Sequence, residues 1–266
     1  MERMNKCYTI TYGDVAENHA RMQQIGTLHE AGYSFATMKK VYRRLRREGV
    51  DVEMYNLNEF YTGTSKVPVQ EAYLLVIRQG AQHILGKIGK NTKDLMAEND
   101  ALTMDTKALM RGNVVNKKAR WNLCFADEDQ EPDYKDGKGR IVAWRHIPLM
   151  QRIREQIAEW TGDELLNGEA NYYYDITKCG IGYHGDGERR KVFAVRMGAD
   201  MPLYYQWFQR HVPVGPRMQF DLHDGDMYMM SEKAVGFDWK QSVMPTLRHA
   251  TGTDEYTVYK EKKQKP

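Results

Sequence analysis

Two imidazoles and one carboxylate stand out in this 266-residue chain as groups that could share a metal: His184 and Asp186, one residue apart, and His249, far along the sequence. Two histidines and a carboxylate on one face of an ion leave positions open on the other, the arrangement of non-haem Fe(II) centres that activate O2. The close pair suits a strand, where residues i and i+2 point the same way and Gly185 between them points away. The third ligand then has to come from a strand that folds back beside the first.

The neighbouring residues sharpen this. Asn171-Tyr172-Tyr173-Tyr174-Asp175 precedes Gly180-Ile181-Gly182-Tyr183-His184-Gly185-Asp186-Gly187-Glu188-Arg189. Leu222-His223-Asp224-Gly225-Asp226-Met227-Tyr228-Met229-Met230 and Leu247-Arg248-His249 follow. An N-x-Y, then H-x-D, a G-D turn into an apolar strand and a distal histidine, in that order, resembles the AlkB-like branch of the 2-oxoglutarate and Fe(II)-dependent dioxygenases. The resemblance implies a double-stranded β-helix (jelly roll) in which His184, Asp186 and His249 ligate Fe(II) and Asn171 and Tyr173 hydrogen-bond the co-substrate 2-oxoglutarate. It also implies oxidative decarboxylation of 2-oxoglutarate to succinate and CO2, coupled to hydroxylation of a C–H bond. On an N-methyl group that outcome is demethylation.

One departure from the pattern concerns charge. AlkB-like proteins carry two arginines on the strand after the distal histidine, whereas this chain reads Asp254-Glu255-Tyr256-Thr257-Val258-Tyr259-Lys260. A dicarboxylate entering a half-buried barrel needs a cation, because an unpaired buried carboxylate is costly. Alternation over Glu255–Tyr259 predicts a strand with Tyr256, Val258 and Lys260 on one face, making Lys260 the first choice and Arg248 and Arg196 the substitutes. The opposing view is that Lys260 only opens a solvated basic tail.

Substrate contacts are sought in three places. Asn116-Lys117-Lys118-Ala119-Arg120-Trp121-Asn122 lies where AlkB-like proteins place a substrate-contacting lid, and Lys117, Arg120 and Trp121 could serve phosphates and a stacked base. Glu188 resembles a base-reading carboxylate, with Arg189 beside it, although an ion pair with Arg189 or Arg190 is the plainer role. The run Lys39-Lys40-Val41-Tyr42-Arg43-Arg44-Leu45-Arg46-Arg47 is either a phosphate-binding face or the wet side of an amphipathic helix. The expectation is a nucleobase, nucleotide or nucleic-acid substrate; the alternative is a protein side chain or small molecule. His223-Asp224 fits a hairpin turn better than a second metal pair.

Composition is that of a globular chain, 41% hydrophobic and 28% charged, with a formal net charge of +3. No apolar stretch is long enough to span a bilayer and the N-terminus lacks the apolar core of a signal peptide. Cys7, Cys124 and Cys179 form no evident disulfide framework, so a reducing compartment, cytoplasmic or nuclear, is expected. Oligomeric state is not legible. The class expected is α+β, with an N-terminal α/β extension over residues 1–110 and the dioxygenase domain over 111–266. Strands are predicted at Tyr8–Tyr12, 50–57 and 72–78, and helices at 15–31, 34–48 and 81–88. Short strands then predominate, with a helix at 148–160 as a buttress.

Overall fold

The structure, a computed structural model, describes residues 4–259. Strands β1 (Cys7–Gly13), β2 (Val15–Glu17) and β3 (Gln24–Gly26), helix α1 (Phe35–Arg47) and strand β4 (Val52–Asn56) come first. Then follow β5 (Tyr73–Ile77), α2 (Gly80–Gly86), α3 (Thr92–Asp100), β6 (Lys107–Met110), β7 (Asn113–Asn116) and β8 (Trp121–Ala126). The middle of the chain forms β9 (Ile141–Ala143), α4 (Pro148–Thr161), β10 (Asn167–Tyr173), β11 (Gly180–His184) and β12 (Val192–Gly198). β13 (Leu203–Gln209), β14 (Val212–Phe220), β15 (Met227–Met230), α5 (Glu232–Val235), β16 (Thr246–Gly252) and α6 (Asp254–Thr257) complete it.

An eight-stranded sheet runs β4-β5-β15-β12-β1-β10-β8-β9, and a four-stranded sheet runs β11-β16-β13-β14. The protein is therefore a mixed α+β fold dominated by sheet. Alternation decides which side chains meet. On β1, Tyr8, Ile10 and Tyr12 join Met38, Val41 and Leu45 of α1 and Ile153, Ile157 and Trp160 of α4 in a core on the outer side of the large sheet. On its inner side Val192, Ala194, Tyr228 and Met230 meet Leu203, Tyr205, Trp207 and Leu247 of the small sheet. Each such aliphatic or aromatic side chain contributes about 1.5–3 kcal/mol by leaving water. Helix α4 starts at Pro148, whose fixed φ suits the first turn, and stops at Gly162, whose φ of +79° a residue with a Cβ adopts only under strain.

From β10 onward the chain alternates between sheets: β10 large, β11 small, β12 large, β13 and β14 small, β15 large, β16 small. A further strand returning to the large sheet would continue the pattern. Instead Gly252, at φ +109°, ends β16, and the segment predicted as a strand over Glu255–Tyr259 is helical as far as Thr257, in α6, and irregular after it. The left-handed backbone at Gly252 and the contact of Tyr256 with Gly180 divert the chain. The place between β10 and β12 is filled by β1, antiparallel to both.

That placement corrects the expected division at residue 110. Strands β1, β4 and β5 belong to the large sheet, so the first third of the chain builds the main body instead of standing beside it. The helix predicted at 15–31 is also absent, replaced by β2, β3 and the turn between them. Asp14 explains why: its carboxylate accepts the backbone N–H groups of His29, Arg190 and Lys191 and ties the segment down extended. Helix α1 lies within its predicted span, and α2 and α4 each overrun theirs by one residue, at Gly80 and Thr161.

Candidate metal centre and its cavity

His184 is the last residue of β11, and Asp186 lies just beyond it, in the turn that follows. The shared face of the two therefore comes from a strand end plus a turn, not from one continuous strand. The backbone N–H of Asp186 donates to the Val235 carbonyl at 3.0 Å and fixes the turn. Gly185 is required there: a Cβ would stand 2.0 Å from the Gly236 carbonyl oxygen. Strand β16 runs beside β11 and sets His249 opposite His184, with ring centroids 4.4 Å apart.

His184 Nε2 and His249 Nε2 lie 3.4 and 3.5 Å from the same Asp186 oxygen, and one ligand atom from each residue lies within 4.8 Å of the others. His184 Nδ1 donates to the Gly182 carbonyl at 2.8 Å, which leaves the Nε2 lone pair turned to the cluster. Burial, then the neighbouring His184, lowers the pKa of His249, favouring the neutral imidazole a metal takes. Burial alone would raise the Asp186 pKa, but His249 and Arg189 hold it well below the usual carboxylate range. The donor set fits a divalent cation of the first transition row.

Arg189 is the electrostatic hub beside these ligands. Its buried guanidinium donates to Glu169 and, at 2.9 Å, to Glu188, and its Nε lies 3.7 Å from Asp186 Oδ2. Of the two roles open to Glu188, the structure shows the ion pair with Arg189. Arg189 lines the cavity, yet its donors are committed to acids, which makes it a positioning residue for Asp186.

The triad opens into a cavity of about 670 Å³ between the two sheets. Glu169, Asn171 and Tyr173 alternate along β10 so that all three face it, as do Thr9 and Thr11 from β1. Asn171 accepts from Arg120 Nε at 2.5 Å and Asn122 Nδ2 at 2.9 Å, and donates to Glu169 at 3.1 Å. Arg120 thus stands in the cavity wall. Burial pushes the Tyr173 phenol up to about 12, so it stays a neutral hydrogen-bonding group.

The three cations considered for a dicarboxylate separate cleanly. Arg196, on β12, is 0% exposed and lines the cavity; it donates to Thr9 Oγ1 at 2.7 Å, approaches Cys7 Sγ at 3.6 Å, and its Nε has no partner. No carboxylate pairs with it among the described residues. Arg248 does not reach the cavity: as the strand neighbour of His249 it points to the opposite face of β16, stacked over Phe208 and bonded to His211. Lys260 lies outside the described residues, and the strand that was to orient it is α6.

Two expected substrate contacts are corrected. Trp121 stacks on Tyr174 and meets Tyr172 edge-on, away from the cavity; parity along β8 turns Asn122, not Trp121, toward Asn171. Lys117 is largely buried, holding Asn18 through its carbonyl and side chain (3.2 and 2.6 Å) and Asn122 at 2.9 Å, and burial pulls its ammonium down to about 8. It braces a loop and offers nothing to a phosphate. That loop supplies residues the sequence did not single out: Glu17, His19, Arg21 and Gln24 from β2, β3 and the turn between them form one lip. Trp239 and Lys240, between α5 and β16, form the other. The signal for the first lip is weak; only Gly26, at φ +100°, argues against the helix that the apolar spacing suggests.

No family model matches the chain. It is 44% identical over 256 residues to uncharacterized protein R156 of Acanthamoeba polyphaga mimivirus, an alignment covering 96% of this chain and 99% of that protein. The chain belongs to the family of that viral protein. No helix among the described residues is long and apolar enough to cross a membrane.

Proposed function

We propose that this cavity is the active site of an Fe(II)- and 2-oxoglutarate-dependent dioxygenase, and that its two sheets form a double-stranded β-helix, or jelly roll, whose last position is taken by β1. The observation that carries this reading is the presence, in one cavity, of the His184–Asp186–His249 cluster and of Arg196, a fully buried guanidinium without a carboxylate partner. A buried charge left unpaired costs several kcal/mol. A ligand with one anionic end for the metal and another for Arg196 satisfies both sites.

When bound, Fe(II) and 2-oxoglutarate would supply the oxidising power for C–H hydroxylation. The chain's own residues hold and orient. His184, Asp186 and His249 would hold the ion, Arg189 keeps Asp186 ionised and in place, and Arg196 with Thr9 binds the distal carboxylate. Asn171 and Tyr173 offer hydrogen bonds along the same wall. The free thiols of Cys7, Cys124 and Cys179 are all buried and suit the reducing compartment that Fe(II) requires.

For the reacting substrate, a nucleobase or nucleotide is the first reading, supported by Arg120 in the cavity wall and by the polar lips. Hydroxylation of a protein side chain or small molecule is the second, favoured by one observation: Trp121 and Lys117, the expected stacking and phosphate groups, are committed to the scaffold. The test is succinate formation by anaerobically iron-loaded protein, with DNA, RNA, nucleotides and peptides offered in turn. Stimulation by one class assigns the substrate. Absence of iron-dependent succinate with every class, including the uncoupled background, would overturn the dioxygenase reading.

A further inference from the structure

Helix α1 carries two sets of cations. Arg44 pairs with Glu48 at 3.1 Å and with Glu159, and Arg46 lies 3.8 Å from Asp51. Lys39, Lys40, Arg43 and Arg47 are exposed and join no ion pair among the described residues. With Ala36 these four line a shallow groove of about 370 Å³ along the helix. Residues 36, 40, 43 and 47 form one stripe at helical spacing, about 16 Å long at 1.5 Å per residue. The stripe is rigid, because Met38, Val41 and Leu45 on the other side of the helix are buried.

A row of uncompensated cations on a fixed rod is complementary to phosphates repeated along a polymer. Both lysines and arginines contribute as charges along the stripe, which suits recognition of the repeated backbone phosphates. Among the described residues lining the groove, Ala36 alone is apolar, which disfavours insertion into a bilayer. Its position matters as well. Helix α1 packs on the side of the large sheet that carries Tyr8, Ile10 and Tyr12, whereas Thr9 and Thr11 face the cavity on the other side. A polymer held by α1 therefore does not lie across the cavity mouth.

We propose that this face of α1 binds the sugar-phosphate backbone of nucleic acid, independently of sequence, as a tether separate from the cavity. The proposal does not depend on the dioxygenase reading. It is tested by fluorescence anisotropy of a labelled 20-nucleotide single strand and the matching duplex, using the full chain at several salt concentrations. Binding in the micromolar range at low salt is expected, steeply weakened by salt, as for non-specific sites. Replacing all four (Lys39→Ala, Lys40→Ala, Arg43→Ala, Arg47→Ala) should weaken duplex binding at least tenfold and reduce the slope of log affinity against log salt by about 3.6.

Asp186→Ala should leave oligonucleotide binding unchanged, separating the tether from the metal cluster. Hydrogen exchange on the unsubstituted protein gives a measurement free of folding artefacts: the oligonucleotide should protect residues 35–47, whether or not it also protects 180–190. An unchanged affinity and slope in the fourfold variant, or protection confined to the cavity, would overturn the proposal. So would binding to phosphatidylserine vesicles without binding to oligonucleotide, which would assign the face to a membrane surface.

Discussion

The inner and outer ends of the cavity are built in different ways. Inside, Arg196, Thr9, Asn171, Tyr173 and His249 stand on β12, β1, β10 and β16, each hydrogen-bonded to a strand on both sides. Each side chain has one place to be, and some groups are left without partners there, notably Arg196 Nε and His249 Nδ1. At the mouth, Glu17, His19, Arg21, Trp239 and Lys240 sit on turns and strand ends held by side-chain ties such as Lys117 to Asn18. The comparison teaches where ligand demand can be read: a sheet can impose burial without a partner, whereas groups on turns have room to find one another.

The strongest test of the contrast removes a ligand from the inner end. Asp186→Ala should abolish stoichiometric iron binding in equilibrium dialysis under nitrogen and, with it, succinate formation; a variant that still retains one iron per chain ends the metal assignment. Next in size is Arg189→Met, which strands Glu169, Glu188 and Asp186 without their shared cation. Removing one partner from such a buried group costs about 3–5 kcal/mol. A large drop in the urea midpoint at pH 7 is expected, and a midpoint within error of the parent would show that the hub is dispensable.

Arg196→Met separates the two kinds of charge, because its effects on ligand binding and on stability should have opposite signs. Loss of a charge-assisted contact of about 1.5–3 kcal/mol raises the 2-oxoglutarate requirement roughly ten- to a hundredfold. The ligand-free protein should be as stable as the parent or more so, since an unpaired buried cation is gone. Destabilisation together with an unchanged requirement would make Arg196 a structural residue.

The smallest effect belongs to the lip. Burial, then the Glu188 carboxylate, pushes the Glu17 carboxyl up to about 7. The folded protein holds a proton that the unfolded chain releases near 4.5, so the stability linked to Glu17 is present in acid and lost as pH rises from 4.5 through about 7. Glu17→Gln should flatten that part of the profile of urea midpoint against pH. An unaltered profile would place the Glu17 carboxyl in water.

The His184–Asp186–His249 cluster is legible in the sequence because its close pair has short spacing and its residue types are few. Arg196 is legible only as a substitute behind Lys260, since nothing local distinguishes it from the other arginines; its burial beside Thr9 without an acid is what singles it out. Parity is legible only when the strand is placed to the residue, which is why Trp121 and Arg248 read as site residues while Asn122 and His249 hold the inward positions. The stretch over 15–31 has helical apolar spacing, yet Asp14 and Gly26 set its backbone through contacts with residues far along the chain, including Arg190 and Asn167. The place of β1 is the least legible feature, because strand propensity says that a strand exists and not which neighbours it will have.

That place has a consequence for how the molecule is made. β1 leaves the ribosome before the other described strands, yet both of its partners, β10 and β12, lie about 150 residues or more downstream. At 5–20 residues per second the wait is on the order of ten seconds. Throughout it, Tyr8, Ile10 and Tyr12 lie on a strand with two open edges, the condition under which chains associate wrongly. Closure of the large sheet is therefore a late, long-range event, slow by its topology. The yield of native protein should depend on chaperones and on low temperature during synthesis far more than the stability of the finished fold would suggest.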